Sequence, residues 1–331
     1  MDEGPRFDGR KVAVTGAGGF IGNAVCRELV GRGAEVAGLE IDEARGERVE
    51  AAGAAYVRGD VADLDSVWRG VAGCGGADYI VHTAAHVREW GDMDDFVRVN
   101  VGGTRNVLDA ARRESVERVV HISSVVVYGY DEPGEQDEEA HHRTYGIPYI
   151  DTKSASDALA RRRGAVVIRP GDVYGPGSVP WVLRPVELAR AGQLSVPGHG
   201  DGIMLPLYID DLVEAVALGL SEGRPGRAYT AWDGESVTFE DYFNRIADLV
   251  GGRRARRLPR PLLTAAATAM EGIARLRNRP PPFSRNAITF IDRRGTVSVR
   301  RIREELGWEP RVDLDEGLRR TEEWLRAEGL L

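Results

Sequence analysis

The chain has two cysteines in 331 residues, Cys26 and Cys74. Two thiols make no disulfide framework, and neither stands at a metal-ligand spacing, so neither an oxidised scaffold nor a metal module is expected. Cys26 falls in an apolar helical stretch and reads as a small buried side chain. Long apolar runs are missing too: nothing approaches the ~20 residues that a membrane-spanning helix needs. Basic charge is not in excess, since 44 Lys and Arg stand against 52 Asp and Glu, a formal net charge of −8. A nucleic-acid binder normally shows a basic surface, so no nucleic-acid partner is expected. The local exceptions, the arginine runs at 161–163 and 253–257, read as solvated helix ends or loops. The opening MDEGPRFDGRK is rich in charge of both signs and holds no apolar signal region. These absences leave a soluble cytoplasmic protein as the expectation.

What is present is an ordinary globular balance, 42% hydrophobic and 29% charged, which supports a sizeable core. Short apolar runs at 11–15, 35–39, 54–57, 78–82, 118–123 and 165–169 alternate with helical stretches such as 20–33 and 100–114. That alternation predicts βαβ units: an α/β fold with a doubly wound parallel sheet covered by helices on both faces. Strands covered on both sides should be continuously apolar, and these are. Beyond Pro170 the rhythm changes. Gly and Pro become frequent, a further strand–helix pair occupies 205–220, and an amphipathic helix lies near 239–250. An Arg/Pro-rich segment at 252–282 and two helices around a turn follow.

Thr15-Gly16-Ala17-Gly18-Gly19-Phe20-Ile21-Gly22 follows the first strand and opens a helix. Glycines permit the turn and let a pyrophosphate approach the backbone, while the helix N-terminus offers free N–H groups and partial positive charge. The strand–turn–helix context is what such a motif requires. Gly16, Gly19, Phe20, Ile21 and Gly22 are therefore candidate cofactor contacts. Glu40 ends the second strand, 18 residues after Gly22. A carboxylate there accepts from both ribose hydroxyls and repels a 2′-phosphate, favouring NAD over NADP, although Arg45 close by weakens the preference. After the third strand, Asp60 is placed to bond an adenine amino group or to cap a helix, and Val61 to pack on the ring. Ala84 and Ala85, small residues at the end of the fourth strand, let a cofactor lie against the backbone. The expected division is a dinucleotide-binding unit at 1–172, to which 205–222 returns. A smaller, partly interleaved substrate-binding region takes 173–331 without 205–222.

Ser123 and Ser124 leave the fifth strand at the carboxyl edge of the sheet, where ligands bind in such folds. Tyr149 and Lys153 stand four positions apart, on one face of the next helix. Tyr-x-x-x-Lys occurs often by chance, and its plain reading is a surface tyrosine with a solvated lysine. Beside a dinucleotide it gains a chemical purpose. A phenol with a pKa of ~10 is a poor acid and base at neutral pH. A lysine cation and a positive nicotinamide both favour the phenolate, so the phenol can exchange a proton with a substrate hydroxyl or carbonyl.

Taken in order, TGAGGFIG, HTAA, NVGGT, HISSVVVYG, YIDTK and RPGDVYGPG resemble the extended short-chain dehydrogenase/reductase superfamily over nearly the whole chain. Within it the likeness is to the NAD-dependent epimerase/dehydratase family and its 3β-hydroxysteroid dehydrogenase-like branch. The resemblance implies a Rossmann unit, with Tyr149 as acid/base, Lys153 as its activator, Ser124 as the oxygen-binding serine and Asn100 as a helix-borne network residue. It implies Ser123, Pro170 and Val173 beside the nicotinamide, and His86, Ser124, Asp172 and Met204 toward the substrate. It also implies a homodimer through the helices that start near residues 96 and 149.

The same resemblance bears on the substrate. Sugar-nucleotide enzymes of the superfamily carry an arginine before the strand leading into Asp-Asp, where it binds the diphosphate. Here that stretch is IMLPLYIDD, with Met204 in the arginine's place. An apolar side chain cannot neutralise a diphosphate. The Ala/Leu-rich segment 258–286 resembles members that act on lipophilic substrates. It reads as a cap over an apolar pocket, a membrane-touching helix or a helix packed on the second region. Arg285 lies near where sugar-nucleotide enzymes place a second arginine. The expectation is an NAD(P)-dependent oxidoreductase acting on a hydroxyl or keto carbon of an apolar or aromatic small molecule. The alternative is a nucleotide-sugar epimerase or dehydratase using transient oxidation. A non-catalytic dinucleotide binder, which would commonly lack the tyrosine or the lysine, comes third.

Overall fold

The computed structural model describes residues 4–331 apart from Cys74, Glu89, 131–133, Asn278, Pro280 and Pro282. The reading of Cys74 therefore lies outside the described residues. The six expected strands are β1 (Lys11–Thr15), β2 (Glu35–Glu40), β3 (Ala55–Arg58), β4 (Tyr79–His82), β5 (Arg118–Ile122) and β6 (Val166–Pro170). A seventh, β7 (Ala228–Ala231), completes the sheet. The order is β7-β6-β5-β4-β1-β2-β3, with every pairing parallel. The order reverses beside β1, which opens the crevice where such sheets bind ligands.

β7 reaches the main sheet from the second part of the chain. Its four residues fall in the region assigned to substrate, yet they pair with β6 through Ala228↔Val167 to Ala231↔Pro170. The strand expected at the start of 205–220 is Pro206–Tyr208, and it pairs with the short strand Asp172–Tyr174 outside the main sheet. The helix that follows, Ile209–Ser221, does return: it packs on β5, β6 and the helix Phe20–Gly31.

Two apolar layers flank the sheet. One contains Val12, Val14, Val120 and Ile168 with Leu29 and Leu212 from those two helices. The other contains Ala13, Ile80 and Val167 with Val67 and Val107 from the helices Leu64–Gly73 and Gly103–Arg113. Adjacent side chains of a strand point to opposite faces, so continuously apolar strands feed both layers. The remaining chain is built from small strand pairs and helices. Asp211 accepts the backbone N–H groups of Arg311 (2.9 Å) and Val312 (3.1 Å), and Trp308 donates to the Asp211 carbonyl at 2.9 Å, docking the C-terminal segment on this framework.

Candidate active site

The glycine turn is shaped by close approach. Gly16 has φ +70°, and a Cβ on Gly22 would lie 2.2 Å from the Gly16 carbonyl oxygen, a distance no side chain tolerates. The helix Phe20–Gly31 begins at Gly19 with no side-chain cap and no acidic residue in its first turn, so its N–H groups are available to an anion. Ala84 crowds the turn closely enough that a Cβ on Gly16 would meet its Cα at 2.9 Å. Glu40 is buried at the end of β2, where its two carboxylate oxygens accept the backbone N–H groups of Gly18 and Asp42, each at 3.1 Å. Arg45 stands beside Gly18 but pairs with Asp42 at 3.3 Å. Glycines that exclude side chains, an uncapped helix start and a carboxylate at the strand end fit the diphosphate and ribose of a dinucleotide. Asp60 forms a local turn by accepting from Ala62 N–H at 2.8 Å, while Asp63 serves the start of the next helix. Val61 is buried against Gly103.

The proton-handling residues converge at the carboxyl ends of β5 and β6. Ser124 caps the short turn Val125–Tyr128 by accepting from Val126 N–H at 3.3 Å. Tyr149 sits in the first turn of the helix Pro148–Arg162, a start fixed by proline at its first position. Burial pushes the Tyr149 phenol up from its ordinary pKa, and a hydrogen bond with Ser124 opposes this. Lys153, one turn on, is buried, and its Nζ donates to the Ile122 carbonyl at 2.6 Å. Burial lowers its pKa to about 8, against the pull of Asp157. Burial thus governs the shift of the phenol, and the ammonium is committed to the end of β5.

Asn100 lies in the wide turn Val97–Gly102 and is almost fully buried. Its side chain accepts from His86 N–H (2.7 Å) and donates to the His86 carbonyl (3.1 Å) and to Thr152 Oγ1 (3.0 Å). It thus ties the loop after β4 to the helix of Tyr149. Ser123, Pro170 and Val173 are buried around the same strand ends. Asp172 is buried, accepts Leu205 N–H at 2.9 Å, and is ion-paired with Arg293. Two expectations on the substrate side change. Met204 is fully buried in the core beside Val237 and presents no surface to a ligand. Arg285 is spent on Glu271 at 2.9 Å, so it does not fold over the site. The guanidinium that approaches is Arg293, which was not anticipated. It donates to the Ile203 carbonyl at 2.7 Å and lies 4.6 Å from the Phe290 ring centroid.

Three further groups escaped the sequence reading. Arg169, fully buried on β6, forms a two-pronged pair with Asp157 of the Tyr149 helix at 2.9 and 2.8 Å. An arginine inside an apolar strand was the available signal. His82 and His121 are register partners on β4 and β5, with ring centroids 5.2 Å apart. His82 is bonded to Thr15 Oγ1 (2.8 Å) and Thr104 Oγ1 (3.1 Å), whereas neither ring nitrogen of His121 has a partner among the described residues.

The sequence pattern of the NAD dependent epimerase/dehydratase family matches residues 12–231. The chain belongs to that family. It is similar to a 2-alkyl-3-oxoalkanoate reductase of Stenotrophomonas maltophilia, 31% identical over 94% of this chain and 98% of the relative. It is equally similar to a dTDP-glucose 4,6-dehydratase of Streptomyces niveus, 32% identical over 96% of this chain and 93% of the relative. Among solved structures it matches DesIV, a dTDP-glucose 4,6-dehydratase from Streptomyces venezuelae crystallised with NAD, at 26% identity and TM-score 0.77, covering 96% of this chain and 97% of that one. Membership makes this an NAD-dependent enzyme with oxidoreductase chemistry at its centre.

Proposed function

We propose that the enzyme interconverts a ketone and a secondary alcohol on an apolar or aromatic small molecule. The observation that carries this reading is the aromatic wall around Tyr149. Tyr149 packs against the cluster of Val126, Tyr130 and Ile150, on which Tyr145, Ile147 and Phe290 also pack. Phe290 extends the wall to Trp181 (5.6 Å) and Phe239 (5.8 Å). Such a surface binds apolar groups by burial and ring contact. Arg293, whose guanidinium lies against Phe290 of this wall, is nearly fully buried and already neutralised by Asp172. A diphosphate needs charge-assisted partners that are free to bind it. The Stenotrophomonas relative's name describes a ketone beside an alkyl chain, a substrate of this general kind.

When bound, a nicotinamide would supply hydride to the carbonyl carbon or accept it from the carbinol carbon. Glu40, Gly16, Gly19, Gly22 and the N-terminus of the helix Phe20–Gly31 would hold the cofactor, with Glu40 favouring NAD over NADP. Ser124 positions the substrate oxygen. Tyr149, kept protonated by its raised pKa, gives that oxygen a proton when the carbonyl is reduced and takes it back in the reverse direction. Lys153 holds the base of this arrangement against β5, and Asn100 holds its flank.

A second reading, nucleotide-sugar epimerase or dehydratase, has the dehydratase relatives in its favour. A 4,6-dehydratase must also move a carbon-bound proton and protonate a leaving hydroxyl. The turn after Ser124 carries three valines, Val125 to Val127, and the Asp172 carboxyl is taken by Arg293. We also place the enzyme in the cytoplasm, where NAD is supplied. We assign 1–172, 205–222 and 228–231 to the cofactor half and the rest to the substrate half. The exposed Met93 and Val97, at the start of the helical stretch expected to pair, support a homodimer. The test is turnover of NADH against hydrophobic ketones, 3-oxoalkanoates included, alongside dTDP- and UDP-hexoses. Net NADH oxidation with the ketones is expected. Sugar-nucleotide conversion without net NADH change would overturn the first reading.

A further inference from the structure

The helix Arg260–Arg277 is turned inside out relative to a normal surface helix. It buries only Leu263, Ala267, Glu271 and Ala274. Its outward face carries Leu262, Ala266, Ala269, Ile273 and Leu276, at helical spacings of four and three. Leu262 is 58% exposed, Ile273 50% and Leu276 89%. This is the most extended run of exposed large apolar side chains on the described surface. The charge around it is equally one-sided. Residues 252–285 hold nine arginines and a single acid, Glu271, in a chain whose net charge is −8. Carboxylates answer some of them: Arg254 pairs with Asp248, Arg257 with Glu240, Arg260 with Asp292 and Arg285 with Glu271. Arg253, Arg256, Arg275, Arg277 and Arg279 have no carboxylate partner among the described residues. A separate element adds to the patch. Arg275 lies 5.7 Å from the ring centroid of Trp90, on the loop after β4, where Val87 is 69% exposed.

We propose that this face docks the enzyme onto an anionic lipid surface. An apolar helix face flanked by uncompensated arginines and a partly buried tryptophan is the composition that settles at a membrane interface. No helix among the described residues is long and apolar enough to cross the bilayer, so the helix lies on the surface. A second copy of the chain is the competing occupant, because the spacing would also suit paired helices. Pairing two copies through this face would bring unanswered arginines together, whereas acidic headgroups neutralise them. The inference does not rest on the substrate assignment and is read without turnover.

The test is co-sedimentation of the full-length protein with vesicles of phosphatidylcholine alone and of phosphatidylcholine mixed with phosphatidylglycerol. Binding to the mixed vesicles, weakened by salt and much lower on the neutral ones, is expected. Ile273→Asp with Leu276→Asp should weaken partitioning by about tenfold or more, since two exposed anchors are lost without touching the core. Arg277→Glu with Arg279→Glu should remove most of the preference for anionic lipid. NADH binding by fluorescence should be unchanged in both variants, showing that they fold. No sedimentation with mixed vesicles, or wild-type sedimentation by the aspartate variant, would overturn the proposal. So would a dimer in light scattering that the aspartate variant converts to monomer, because the face would then belong to a second copy.

Discussion

At the scale of single residues, the chemistry turns on two shifted groups a helical turn apart. The phenol of Tyr149 is pushed up by burial and stays a proton donor at neutral pH. The ammonium of Lys153 is pushed down to about 8 by the same burial. A lysine with a depressed pKa is charged below that value and neutral above it. Its cationic help should therefore fade as pH rises through about 8, giving carbonyl reduction a falling alkaline limb in kcat. Lys153→Arg, which cannot lose its charge, should be slower but flat through that range. A limb of unchanged position in the arginine variant would assign the titration to another group. Tyr149→Phe removes the transferable proton and should lower kcat by about 10²–10⁴, while NAD affinity, measured by fluorescence, stays within a few-fold. The Tyr149–Lys153 spacing was legible in the sequence because residues four apart share a helix face, and the order of motifs because each follows a strand of the alternating pattern. Arg293 was not. Its position depends on Asp172, 121 residues away, and on the Phe290 ring, and no local pattern announces either.

At the scale of elements, the Tyr149 helix is held from behind by an ion pair that no solvent reaches. Arg169 and Asp157 are both fully buried, and Arg169 also donates to Tyr128 Oη (3.0 Å) and the Glu138 carbonyl (3.2 Å). Arg169→Met would leave the Asp157 carboxylate buried without its arginine, with only His142 at 3.3 Å and Ser123 beside it, and a loss of about 3–5 kcal/mol is expected in urea unfolding. Replacing both, as Arg169→Met with Asp157→Leu, should recover much of that loss, because the pair's desolvation cost disappears with it. If the single and double variants were equally unstable, the network to Tyr128 and Glu138 would be the stabilising feature instead. The six alternating strands were readable because continuous apolar runs have few other uses. β7 was missed for a physical reason. Four residues, Ala-Tyr-Thr-Ala, set no period of their own, and their strand state comes from pairing with β6.

At the scale of the whole molecule, parallel register brings two histidines and a lysine into one buried neighbourhood and sets how the fold meets acid. Burial and the nearby Lys153 charge lower the pKa of His82 to about 3. The same causes, with His82 added, hold His121 well below its ordinary value. Both rings are neutral in the folded protein through the mildly acidic range, while in the unfolded chain they take up protons near pH 6.5. The unfolded state therefore binds more protons below that point, and stability falls as pH drops from about 6.5 toward 3. Each histidine adds up to about 1.4 kcal/mol per pH unit to that slope. His121 is the better probe of the two, since among the described residues its nitrogens have no hydrogen-bond partner that a substitution would lose. His121→Phe keeps a planar ring in the interior without a group to protonate. Its urea-unfolding free energy, followed from pH 7 down to pH 4.5, should fall less steeply than the wild type's by about one proton's worth. The wild-type slope persisting in the phenylalanine variant would show that acid enters this fold elsewhere, and that the row of histidines across the sheet does not limit it.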